Sequence, residues 1–144
     1  MSTTGLEVFD ETVQQTNIWL KEVMEELGPD RKRAYRATRA VLHALRDRLV
    51  VEEAAHLGAQ LPLLVRGIYY EGGKPSAVPT KERTAEEFLE KISDELHDVR
   101  PINAQKAAEA VFRVLSQHVT QGEIDDVKGM LPESIRKVWP QSAS

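Results

Sequence analysis

The side chains that run acid–base or metal chemistry near neutral pH are few in this chain: His43, His56, His97 and His118, with no cysteine. Only His56 completes a Glu-x-x-His. Glu53-Ala54-Ala55-His56 is a Glu-x-x-His, the (i, i+3) pair of di-iron helical bundles. On a helix that spacing puts both side chains on one face. A metal-binding or enzymatic centre at Glu53 and His56 is one reading of the chain. Nothing else in the sequence supports it. His-Glu-x-x-His, Gly-x-Ser-x-Gly and the phosphate-cradling Gly-x-x-x-x-Gly-Lys-Ser/Thr are all absent. The acidic pair Asp125-Asp126 reads as dipole compensation in a first helical turn. No catalytic residue and no cofactor are assigned from the sequence, and catalysis is not expected.

Cations offer a second chemistry. Between residues 30 and 48, Arg31, Lys32, Arg33, Arg36, Arg39, Arg46 and Arg48 face only Asp30 and Asp47. On a helical wheel Lys32, Arg36, Arg39, His43 and Arg46 share one stripe, opposite Val41 and Leu45. Such a stripe can attract the phosphates of nucleic acid or anionic lipid. Arg66 and Arg136 lie at equivalent places in two Leu-Pro-x-x-x-Arg segments and could together hold an anion. The competing account is structural. The stripe is a solvated face neutralised by acidic helices or by another subunit, and each Arg pairs with a carboxylate or a helix C-terminus. A pI near 5.6 lacks the footprint of a nucleic-acid binder, which favours the structural account.

The elements that must carry these residues come in two copies. A shift of 70 aligns Ala34–Tyr69 with Ala104–Trp139 without a gap, and nine of the 36 pairs are identical. Glu53/Glu123, Leu61/Leu131, Pro62/Pro132 and Arg66/Arg136 are among them. Upstream, Trp19, Leu20, Val23, Glu26 and Leu27 face Phe88, Leu89, Ile92, Glu95 and Leu96 at a shift of 69. Each copy reads as four helices. The first stripe is Phe9, Val13, Thr16, Leu20, Val23 and Leu27, stopped at Gly28-Pro29. The second is Ala34, Thr38, Val41, Leu42, Leu45 and Leu49; Glu52–Gln60 is a short third helix. Pro62 suits the first position of a fourth. Thr84 with Glu87, and Thr120 with Glu123, are capping boxes. The fourth helix offers Leu63, Leu64, Val65 and Ile68, which reads as core and not as a DNA-reading helix. Tyr69, Tyr70, Trp19 and Trp139 are expected to pack in the core or between the copies.

The expected fold is therefore all-α: two pseudo-symmetric four-helix repeats packed into one helical domain. Residues 1–70 form the first repeat, 71–83 a Gly/Pro-rich linker and 84–144 the second. At 144 residues, 41% apolar and with net charge −4, the chain can build a core and is not expected to be disordered. The absence of cysteine excludes disulfides and Cys-ligated zinc. No apolar run is long enough to span a membrane, and the N-terminus lacks the pattern of a secretory signal, so a soluble cytoplasmic protein is expected. The small total charge hides an uneven distribution. The first helix has six acids against Lys21, its counterpart has six against Lys91, and the second helix is strongly basic.

Two long stretches carry a resemblance. Ala34-Tyr35-x-Ala37-x-Arg39-Ala40-Val41-Leu42-His43-Ala44-Leu45-Arg46-Asp47-Arg48-Leu49 and Ala59-Gln60-Leu61-Pro62-Leu63-Leu64-Val65-Arg66-Gly67-Ile68-Tyr69-Tyr70-Glu71-Gly72, with the later Leu131-Pro132-x-x-x-Arg136, resemble the bacterial domain of unknown function 2267 family. The similarity spans nearly the whole chain. It departs from the family pattern at Gly73, where relatives often carry Trp. The resemblance implies a helical bacterial protein and supplies no activity and no site residues. With no catalytic constellation in view, the expected role is binding: a protein partner, or a second copy of the chain. Binding of an anionic ligand or nucleic acid by the basic stripe is the alternative, beside the Glu53/His56 reading.

Overall fold

The computed structural model describes residues 4–96 and 102–141. Among them are eight α-helices and no strand: α1 (Glu7–Leu27), α2 (Arg31–Arg48), α3 (Val51–Ala59), α4 (Leu63–Tyr70), α5 (Ala85–Glu95), α6 (Ala104–His118), α7 (Gln121–Met130) and α8 (Glu133–Arg136). Residues 97–101, with His97, lie outside the described residues.

Helix starts follow the local chemistry. The first N–H groups of a helix have no intrahelical acceptor. Asp30 accepts from Lys32 N and Arg33 N, and Asn103 from Lys106 N. Thr84 and Glu87 close the reciprocal capping box at α5. At α4 and α8 the residue before the helix is Pro62 or Pro132, one position earlier than the spacing predicts, because an extended ψ of 150° ends the preceding chain there. Neither proline can cap with a side chain. A distant hydroxyl does the work for α4, where Thr12 on α1 accepts from Leu64 N at 2.8 Å. In the later half Ser134 at α8 accepts from Ala85 N, in the first turn of α5, at 2.7 Å.

One apolar core takes residues from every helix: Trp19, Val41, Leu57, Val65, Phe88, Phe112, Val127 and Ile135, one from each in chain order. Helix α1 packs on α2, α4 and α6; α2 also packs on α5 and α6; α3 packs on α7. The expected stripe on α1 holds only in part. Thr16, Leu20 and Val23 are buried, but Phe9 and Val13 are exposed, because the first turns of α1 lie over α4 and not over the core. The aromatics largely sit inside. Trp19 stacks on His118, Trp139 stacks on Phe112, and the Tyr69 hydroxyl donates to Ala54 O at 2.7 Å. Tyr70 instead is exposed, edge-on to Tyr69.

The segment from Glu71 to Arg83 is fastened to the end of α2. Thr80 N donates to Asp47 O, Arg48 Nε donates to Glu82 O, and Lys91 reaches both Asp47 and Glu82. Among the described residues no helix is long and apolar enough to cross a membrane.

Candidate functional site

The α3–α7 contact brings together two carboxylates that are 70 residues apart in sequence. Glu53 lies in the first turn of α3 and Glu123 in the first turn of α7, and each is only 8% exposed. Acids in a first turn normally face solvent and favour the positive end of the helix dipole. Here both turn inward. Thr120 accepts from Glu123 N, as a capping box requires, but the Glu123 side chain does not return to Thr120 N. Gln60, at the end of α3, takes that role: Thr120 N donates to Gln60 Oε1 at 2.8 Å, and Gln60 Nε2 donates to Thr120 Oγ1. The expected second capping box is therefore half formed, and Glu123 is released toward Glu53.

Two carboxylates facing each other out of water cannot both ionise cheaply. Burial pushes the Glu123 carboxyl up to about 8, helped by the adjoining Glu53 carboxyl and by the charge of Asp126. The Oε2 atoms of both residues are buried with no hydrogen-bond partner. His56 follows one turn after Glu53, exposed, with Nδ1 at 3.9 Å from Glu53 Oε2. One ligand atom from each of Glu53, His56 and Glu123 lies within 4.8 Å of the other two. The sequence pattern singled out Glu53 and His56 and missed Glu123 as their companion. The repeat held that signal, since Glu53 and Glu123 are equivalent positions.

The basic stripe separates in space. Lys32 and Arg36 are exposed and make no ion pair with a described residue. Arg39 is half-buried and pairs with Glu71 at 2.7 Å. His43 and Arg46 are buried, so the stripe is not one exposed face. His43 Nε2 bonds Ile68 O, and Arg46 donates to Tyr69 O, Glu71 O and Asp47 Oδ1. Arg46 thus closes the C-terminus of α4, where carbonyls lack intrahelical partners. Although burial opposes it, the hydrogen bond and charge of Arg46, with the charge of Lys91, hold the Asp47 carboxyl below its ordinary range.

Arg66 and Arg136 likewise spend their donors on the backbone. Arg66 donates to Gly58 O, Ala59 O and Leu61 O. Arg136 donates to Lys128 O and Leu131 O. Each thereby ties its helix to the carbonyl end of the preceding one.

A third feature was not legible as a surface. Leu63 and Leu64, read above as core, are 50% and 43% exposed. With Phe9, Val13, Tyr35 and Ile68 they line a broad apolar groove between α1, α2 and α4. Tyr35 and Glu71 border both this groove and the neighbouring surface of Lys32, Arg36 and Arg39. The repeat again held the signal: the equivalents of Leu63 and Leu64 are Glu133 and Ser134, polar residues that mark an outward position.

No curated protein matches the chain. A family model does match, over residues 16–138, which takes in the carboxylate pair, His56, Arg46 and both Leu-Pro-x-x-x-Arg segments. By that match the chain belongs to the family described as uncharacterized conserved protein (DUF2267).

Proposed function

We propose that this protein is a non-catalytic interaction module that docks a second copy of itself through the apolar face of α1 and α4. The observation that carries the reading is the groove itself. Phe9, Val13, Tyr35, Leu63 and Leu64 are each more than 40% exposed on one contiguous surface. Large side chains gathered on one face, rather than scattered singly, mark sites of association.

Charge favours a second copy as the occupant. At the border beside Tyr35 the exposed bases Lys32 and Arg36 stand with the acids Glu71 and Glu95, while Glu7 and Glu11 lie on the far face of α1 from Phe9 and Val13. The rim thus carries both signs, and a two-fold arrangement lets the bases of one copy meet the acids of the other. Within each copy, the duplication supports a pseudo-two-fold pairing of residues 1–70 with 84–144 across the linker 71–83. Arg66 and Arg136 donate to equivalent carbonyls, Gly58 and Lys128, then Leu61 and Leu131.

The test is mass in solution. Light scattering from low micromolar to roughly 200 µM should show a dimer forming with concentration. The double variant Leu63→Asp, Leu64→Asp should remain a monomer with unchanged helical circular dichroism. A monomeric mass for the unmodified chain at every concentration and salt level overturns the reading.

A further inference from the structure

Glu53 and Glu123 pose a chemical problem that the fold leaves open. Each is more than nine-tenths buried, and each points an Oε2 atom into the α3–α7 contact with no donor to meet it. Nearby donors are spent elsewhere: Thr120 N donates to Gln60 Oε1, Gln60 Nε2 and Glu123 N donate to Thr120 Oγ1, and the Tyr69 hydroxyl donates to Ala54 O. Buried carboxylate oxygens are otherwise hydrogen-bonded or bound to a cation. A single proton between the two carboxyls satisfies one contact and leaves the remaining lone pairs empty.

His56 supplies what a cation would need on the open side. Its ring is mostly exposed, one turn from Glu53, with Nδ1 near Glu53 Oε2. We propose that Glu53, His56 and Glu123 together bind one divalent transition-metal ion of the zinc class at the junction of α3 and α7. Two carboxylates and one imidazole are an N/O donor set that such ions accept, at bonds of about 2.0–2.2 Å. Donor atoms around one ion then stand roughly 3.4 Å apart. The three donors here lie within 4.8 Å of one another, so side-chain rotation of about 1 Å closes the set. Magnesium and calcium fit less well, since they take six or more oxygens and disfavour imidazole. The exposed side of His56 leaves an entry path and room for water as a further ligand. Because Glu53 and His56 come from α3 and Glu123 from α7, the ion would cross-link the two helices. This site is separate from the α1–α4 groove and does not depend on dimerisation.

The test uses the full chain, stripped with EDTA and titrated with zinc chloride by calorimetry in a non-chelating buffer. One ion per chain is expected, with micromolar or tighter affinity. Glu53→Gln, Glu123→Gln and His56→Ala should each weaken binding by about tenfold or more. His118→Ala, which removes the exposed His118–Glu22 pair, should leave the affinity unchanged. Zinc should also raise the melting temperature of the unmodified chain and not that of Glu123→Gln. His56 is exposed, so its alanine variant reports on binding without a folding penalty. Absence of stoichiometric uptake at about 100 µM zinc overturns the proposal, as does uptake that survives both Gln substitutions or is lost with His118→Ala.

Discussion

In metal-free protein the carboxyl pair makes a prediction opposite to the usual one for losing an acid at a helix start: Glu123→Gln should stabilise the fold. An exposed glutamate titrates near 4.5, while burial opposite Glu53 raises Glu123 to about 8. Between those values the folded chain holds a proton that the unfolded chain has released. The unfolded state binds fewer protons, so stability falls as pH rises through that window and levels off above it. Each pH unit of mismatch is worth about 1.4 kcal/mol, which bounds the whole loss at about 5 kcal/mol and the loss by pH 7 at about 3 kcal/mol. Glutamine keeps the shape, carries no charge and can donate its amide to Glu53. The variant should therefore gain about 1–3 kcal/mol at pH 7 to 8 against a typical total of about 5–15 kcal/mol. Urea denaturation followed by circular dichroism in EDTA, from pH 5 to 9, measures it. The unmodified chain should weaken steadily between pH 5 and 8, and the variant should lose most of that slope. A flat or rising profile for the unmodified chain, or a variant less stable at pH 8, would refute the burial argument.

Two further outcomes follow from the buried arginines. Arg46→Ala strips donors from Tyr69 O and Glu71 O and leaves Asp47 short of a partner, so a loss of about 3–5 kcal/mol is expected by chemical denaturation; a loss under about 1 kcal/mol would return Arg46 to the surface and to anion binding. Arg66→Ala and Arg136→Ala each free the same kind of helix-end carbonyls and should each cost about 1–3 kcal/mol, with Arg66 the dearer because it is less exposed and makes three such bonds.

What could be read from the residues depended on whether a rule was local. The α2 stripe, the stop at Gly28 and the Thr84–Glu87 box involve neighbours in sequence, and each stands in the structure. A wheel drawn for α2 gave the right angles and the wrong environment. It placed Arg46 beside Arg36 but could not show that α4 ends over Arg46 and leaves Arg36 in solvent. The Thr120–Glu123 box failed for the same reason. Its second bond was lost to Gln60, 60 residues upstream, and only the α3–α7 contact puts Gln60 there. Leu63 and Leu64 were misread because apolar character was taken to mean burial, although every protein surface keeps apolar area.

The uneven charge of the helices has a spatial answer that sharpens the docking argument. Among the ion pairs between described residues none joins acidic α1 to basic α2, yet α1 does not stay bare along its length. Its later turns pair with α6 instead: Glu26 with Arg113, and Glu22 with His118 at 2.6 Å. Lys91 of acidic α5 pairs with Asp47 at the end of α2, and Arg39 turns to Glu71. Charges left without an ion pair to a described residue then include Glu7 and Glu11 at the start of α1 and Lys32 and Arg36 at the start of α2. Exposed pairs contribute little to folding, so nothing in the monomer's stability demands that these four stay unmatched. Lys32 and Arg36 border the groove beside Tyr35, next to Glu71 and Glu95, whereas Glu7 and Glu11 lie on the face of α1 away from Phe9. Charges at the rim of an apolar patch act on the rate and register of association more than on its strength. If a second copy docks there, reversing Lys32 and Arg36 to glutamate should slow dimer formation and remove its salt dependence while leaving the fold intact; substituting Leu63 and Leu64 should abolish the dimer at any salt. A dimer indifferent to both pairs of changes would place the interface on another face.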